Sequence, residues 1–196
     1  MNWGYDRGNR ASLVAQASLK KGGLEMSVRG TPMKESQIDR RIDFLIREAN
    51  SEDPIRDQAI TYAFRVITNY FSVKCDARSR KLSLNCPYRS KKAHNLFLLL
   101  NDEEGWLDMV TNEHQYPLKR AWGWMIKERG KLTVQLVKDH LNKWPVVVVT
   151  KDENKLLRDD LDKEPHQRYQ DAGIEVLEKT ESGDWQPRRS PNQISN

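Results

Sequence analysis

The chain has 196 residues, with 33 lysines and arginines against 28 aspartates and glutamates, and a formal net charge of +5. It contains no run of about 18 apolar residues, so no transmembrane helix is predicted. Two cysteines cannot form a disulfide framework. The first residues lack the basic and then apolar layout of a signal peptide, so we expect a cytoplasmic protein with no membrane partner.

The N-terminal half is predicted to be mainly helical after a glycine-rich, basic and partly ordered arm. Two amphipathic stretches separated by a short turn should pack as an antiparallel helical hairpin. Alternating apolar and polar residues then predict a small β-hairpin. The predicted elements are the arm over 1–33, helices over about 34–50 and 55–70, strands over 73–76 and 81–85, and a helix over 90–101.

The C-terminal half is predicted to mix helices with a few strands. Its elements are a strand over 106–110 leading into 111–114, helices over 118–129 and 133–143, a strand over 146–150, a helix over 151–162, an edge strand over 174–177, and a disordered tail. The expected fold class is α+β. We expect a basic, nucleic-acid-binding part over 34–104, an α/β part over 105–180, and disorder over 181–196.

Positive charge is concentrated in the middle of the chain. Residues 65–94 carry eight basic residues against one acidic residue, a local net charge of +7, whereas residues 151–184 have a net charge of −5. Basic residues on a hairpin and at a helix start suit phosphate oxygens, and a neighbouring tyrosine suits base stacking. The predicted nucleic-acid contacts are Arg78, Arg80, Lys81, Tyr88, Arg89, Lys91 and Lys92. A plain solvated surface is the alternative interpretation.

Glu113 and His114 form the second candidate site, at the end of a predicted strand. Histidine is the usual general base near neutral pH, and a carboxylate beside it can bind a divalent ion. Neighbouring residues of a strand point to opposite faces. Both side chains therefore reach one site only if the strand ends or bulges, which Pro117 makes plausible.

The segment from residue 112 to 118, NEHQYPL, resembles the first motif of the HNH, or ββα-metal, endonucleases. The similarity extends over about residues 106–160. It implies that His114 activates water and that Glu113 ligates one divalent metal, Mg²⁺ or Mn²⁺. A later strand running into a helix, here 146–150 followed by 151–162, would bring Asp152 or Asn154 as a further metal ligand.

Metal-dependent cleavage of phosphodiester bonds is thus the first functional hypothesis, with DNA favoured over RNA. Two alternatives stay open: a non-catalytic DNA- or RNA-binding or regulatory protein, and a protein-interaction adaptor that uses the acidic C-terminal third. A homodimer is also left open. Trp122 and Trp124 flank Gly123 on one predicted helix and cannot both face the core, so one is expected to be free for stacking or a protein contact.

Overall fold

The computed structural model describes residues 33–73, 80–158 and 163–189 of the chain. Within them the fold is α+β, as predicted, with helices packed on a mixed sheet in the spatial order β2-β3-β1-β4-β5. The strands are β1 (Tyr88–Ser90), β2 (Val110–His114), β3 (Val146–Thr150), β4 (Val176–Lys179) and β5 (Trp185–Pro187).

A group of four helices forms the larger apolar core. Ile38, Ile42 and Leu45 recur at helical spacing and are fully buried, which explains the predicted helical hairpin. The hydroxyl of Ser72 accepts a hydrogen bond of 2.9 Å from the backbone N–H of Val146, which ties this core to the start of β3. The four helices are α1 (Glu35–Ala49), α2 (Gln58–Val73), α6 (Leu118–Lys127) and α7 (Val134–Asn142).

Shorter helices cover the two faces of the sheet. Val148 of β3 packs with Trp106 on one face, and Val147 packs with Leu157 on the other. All five residues of β3 are buried, as expected for a strand covered on both faces. The helices are α3 (Arg80–Asn85), α4 (Lys91–Leu100), α5 (Glu103–Met109), α8 (Lys151–Arg158) and α9 (Pro165–Asp171).

The central pair of strands is parallel, with Arg89 of β1 opposite Val148 of β3. β2 runs antiparallel to β3 on its other side, so that His114 lies opposite Val146. β1 leads directly into α4, and β3 leads directly into α8. This topology puts the start of α8 at the far end of β3 from His114.

Three predicted elements differ from the structure. Residues 81–85 are helical rather than extended, because one helical turn buries both Leu82 and Ser83. Residues 106–109 belong to α5, since the carboxylate of Asp102 accepts hydrogen bonds from the first backbone N–H groups and starts a helix there. Part of the predicted disordered tail forms β5, which pairs with β4.

The predicted domain boundary near residue 104 runs through one sheet, because β1 lies between β3 and β4. Three predicted segments lie wholly or partly outside the described residues. They are the arm up to residue 32, residues 74–79 of the predicted β-hairpin, and the tail from residue 190. Among the helices of the described residues, none has the length and apolar character needed to cross a membrane.

Candidate functional site

The side chains of Glu113 and His114 point to opposite faces of the sheet. β2 stays in regular register with β3 through both residues, so alternation applies without a bulge. His114 faces α2, where its Nδ1 lies 3.1 Å from the hydroxyl of Thr68. Glu113 faces α9, where its carboxylate accepts a hydrogen bond of 2.8 Å from Arg168. The two residues therefore do not share one site.

The remaining predicted metal ligands lie at the other end of the sheet. His114 is level with the first residue of β3, whereas α8 begins beyond the last, and four strand residues span about 13 Å. Asp152 is exposed and pairs with Lys155 at 2.9 Å, and Asn154 is half-buried on the same helix. Within the described part of the chain, no group of three or more His, Cys, Asp or Glu residues could hold a metal ion. These residues do not fit the implied Mg²⁺ or Mn²⁺.

The carboxylate of Glu113 forms an ion pair with Arg168. The Arg168 side chain is buried, and besides Glu113 it donates hydrogen bonds to the backbone carbonyls of Leu157 at 2.7 Å and Gln115 at 3.2 Å. One guanidinium thus joins β2, α8 and α9. A fully buried charge needs such partners, so the pair serves to hold α9 on the sheet.

His114 is a packed, neutral imidazole near neutral pH. Burial, with a smaller contribution from the positive charge of Arg65, lowers its pKa to about 4. The partner that its ring contacts is the hydroxyl of Thr68, not a carboxylate that would orient a general base. This environment is that of a partly buried histidine packed against α2.

The predicted nucleic-acid contact Arg89 lies inside the protein. Its guanidinium carbon is 4.7 Å from the ring centre of Phe97, 4.6 Å from Trp106 and 4.8 Å from Trp185. The same group donates a hydrogen bond of 3.2 Å to the carbonyl of Leu84, and burial lowers the Arg89 pKa to about 10. Arg89 packs against the aromatic rings that surround it and is not positioned to meet a phosphate.

Only three of the other predicted contacts have side chains that the structure describes. Tyr88 is half-buried beneath the guanidinium of Arg188, 5.1 Å from the ring centre. Lys91 pairs with Glu175 at 2.8 Å, and Lys92 is exposed at the start of α4. The rest of the set falls outside the described residues and side chains: Arg78, and the side chains of Arg80 and Lys81.

A cleft of about 590 Å³ lies between α6, α7 and the start of α9 and is lined by aromatic and basic side chains. We refer to it as the aromatic cleft. The rings of Trp124 and His140 stack in parallel, with centroids 3.7 Å apart and an interplanar angle of 3°. Tyr116 meets His140 edge-on at 5.1 Å. The cleft is lined by Tyr116, Arg120, Gly123, Trp124, Lys127, His140, Lys143, Trp144 and Glu164.

The sequence of α6 explains why Trp124 reaches this cleft. Trp122 is buried and meets Phe64 edge-on at 6.3 Å, whereas Trp124, two residues further on, is half-buried and lines the cleft. A side chain built on Gly123 would meet no atom within 4 Å, so the helix is open to solvent between the two rings. Both rings still contact the four-helix core, Trp122 within it and Trp124 at its edge, so the predicted divergence of the two tryptophans is only partial.

Positive charge surrounds the stacked rings. Arg120 is held by Glu164 at 2.6 Å, and its guanidinium lies 5.6 Å from the ring centre of Tyr116. Lys127 and Lys143 are exposed at the rim. Three cations against one carboxylate leave the cleft with an excess of positive charge.

His140 itself contributes no charge near neutral pH. Burial lowers its pKa to about 4, with a smaller lowering from the charge of Lys143. Its Nε2 is buried and has no hydrogen-bond partner among the described residues. The ring therefore acts as a neutral aromatic surface beside Trp124.

Comparison of the chain with protein-family models, curated proteins and solved structures gives no match. Of the surfaces considered above, the aromatic cleft combines the half-buried rings of Trp124 and His140 with free volume and an excess of positive charge.

Proposed function

We propose that this protein binds single-stranded nucleic acid in the aromatic cleft, with DNA as the favoured ligand and without cleaving it. The observation that carries the proposal is the parallel stack of Trp124 on His140 between the cations Lys127 and Lys143. Proteins that bind single strands combine aromatic platforms for the bases with a positively charged groove for the backbone.

The dimensions and chemistry of the cleft support an unpaired base as its occupant. A volume of about 590 Å³ is within the range of small-ligand sites, and the half-buried indole of Trp124 offers a ring for a base to stack on. The two lysines at the rim can meet flanking phosphates. A base in a duplex has both faces covered by its neighbours, so duplex should bind more weakly.

The proposed function does not include phosphodiester hydrolysis, because the predicted catalytic pair does not come together. The carboxylate of Glu113 pairs with Arg168, and His114 lies on the other face of the sheet. The proposed function is therefore the non-catalytic, nucleic-acid-binding alternative among the sequence hypotheses. A cytoplasmic location belongs to the same proposal, in keeping with the buried free thiol of Cys86.

The proposal is tested with a labelled twelve-nucleotide oligo-dT and fluorescence anisotropy. The wild-type chain should bind, and binding should weaken between about 50 mM and 200 mM salt as counterion release requires. Trp124→Ala should weaken binding about 5-fold or more, since one stacked base contributes about 1–3 kcal/mol. A duplex of the same length and an oligo-rU should establish the preference for single strands and for DNA.

Matched variants separate the cleft from general charge. Lys143→Glu, at the rim, and Lys179→Glu, at an exposed position on β4 away from the cleft, change the net charge equally. Only Lys143→Glu should reduce both the affinity and its salt dependence. Unchanged affinity in Trp124→Ala, or equal effects of the two lysine variants, would rule out the cleft as the binding site.

A further inference from the structure

The fold requires four of the glycines in the described residues, but it does not require Gly123. A side chain on Gly105 would collide with the carboxylate of Asp102, which caps α5. Three others have a positive φ, a conformation that favours glycine: Gly130, Gly173 and Gly183. Neither reason applies to Gly123, because its φ is not positive and a Cβ atom there would meet no atom within 4 Å.

Gly123 is also unfavourable for the helix that contains it. It is the sixth of the ten residues of α6, and it is exposed. Glycine in a helix interior is less favourable than alanine, because the glycine backbone loses more conformational freedom on folding. What glycine does provide is a main chain that another molecule can approach closely.

This bare stretch of main chain lies inside the aromatic cleft. Gly123 lines the cleft together with Trp124, the next residue of α6, and Lys127, one turn further along the same face. Residues four apart on a helix are separated by about 6 Å along its axis. One turn before Gly123, Arg120 is held by Glu164 at 2.6 Å and forms a wall of the cleft. Gly123 therefore borders both a ring for stacking and a cation at the rim.

We propose that the sugar–phosphate backbone of the bound strand packs directly on the main chain of α6 at Gly123. The inference rests on the proposed function and gives the path of the strand through the cleft. A base stacked on Trp124 is joined through its sugar to a phosphate, and Lys127 supplies the cation for that phosphate. Gly123 is next to both residues on the helix surface, so the sugar between base and phosphate lies over it. Any side chain at this position would hold the sugar away from the helix.

Two variants of Gly123 test the inference with the labelled twelve-nucleotide oligo-dT. Gly123→Ala should raise the Tm by about 1–4 °C, because alanine favours the helix and meets no neighbour, and should nevertheless weaken binding. Gly123→Leu should weaken binding about 5-fold or more, since a side chain inserted into a close contact overpacks it. Ser36→Leu, at an exposed position of α1 that does not line the cleft, should bind like the wild type.

A double-variant comparison tests the path toward Lys127. Lys127→Ala should weaken binding in the wild-type background and much less in Gly123→Leu, where the phosphate no longer reaches the ammonium group. Equal effects of Lys127→Ala in the two backgrounds would overturn the inference. If both Gly123 variants bind like the wild type while Trp124→Ala does not, the strand crosses α6 elsewhere; the inference is then wrong and the proposed function stands. If Trp124→Ala also binds like the wild type, both are wrong.

Discussion

Replacing Glu113 with alanine should destabilise the protein strongly, whatever its effect on ligand binding. Arg168 is buried and would keep only the carbonyls of Leu157 and Gln115 as acceptors. Removing one partner of a buried pair costs about 3–5 kcal/mol. The Glu113 side chain is 17% exposed, so the lower end of that range applies. In a chain of this length about 3 kcal/mol lowers the Tm by roughly 6–12 °C.

Urea unfolding followed by tryptophan fluorescence measures this loss. Glu113→Gln should lose about half as much, because its amide oxygen still accepts the hydrogen bond from Arg168 without the charge. The double variant Glu113→Leu/Arg168→Met, which removes both charges, should recover most of the stability. A loss below about 1 kcal/mol in Glu113→Ala, or no recovery in the double variant, would refute the buried-pair explanation.

Three further predictions concern the pH dependence of stability, the cleavage of DNA and the reactivity of a thiol. In the folded chain the pKa values of His114 and His140 are lowered to about 4, so between pH 6.5 and pH 4 the unfolded chain binds protons that the folded chain does not. The free energy of unfolding should therefore be highest above pH 6.5 and fall toward pH 4. The fall should be shallower in His114→Gln. Plasmid incubated with Mg²⁺ or Mn²⁺ should show no cleavage that depends on His114, and cleavage abolished by His114→Ala and by EDTA would reinstate the metal site. Burial raises the pKa of Cys86 to about 12, so in a Cys75→Ser background iodoacetamide should modify the thiol only after unfolding, and rapid modification of the folded protein would contradict its burial.

The elements that the sequence predicted well are those with a strong local pattern. The strand over 146–150 agrees with β3, because five successive β-branched residues suit a strand buried on both faces. The spacing of Ile38, Ile42 and Leu45 correctly predicted α1, because these residues form one buried helical face. Its partner helix and the two helices after Pro117 also show their apolar faces in the sequence alone.

The elements that were missed depend on distant residues. β1 has three residues and is a strand only because β3 and β4 flank it. The start of α5 did have a local indication, the helix cap Asp102 followed by two glutamates, which outweighs the apolar pattern of residues 106–110.

The candidate site was predicted only in part. Helical geometry indicated that Trp122 and Trp124 diverge, but no local pattern connects Trp124 with His140, which belongs to another helix. The position of Glu113 and His114 on a strand was correct. Their partners were not predictable, because Thr68 and Arg168 are 46 and 55 residues away along the chain.

The central position of β1 has a consequence for how the chain folds during synthesis. Arg89 of β1 pairs with Val148 on one side and Leu177 on the other, so neither neighbouring strand exists when β1 leaves the ribosome. Sheet formation must close long loops and is the slow, late step, whereas the α1–α2 hairpin can form early. A chain interrupted before β4 would leave one edge of β1 open to intermolecular pairing, and such fragments should aggregate.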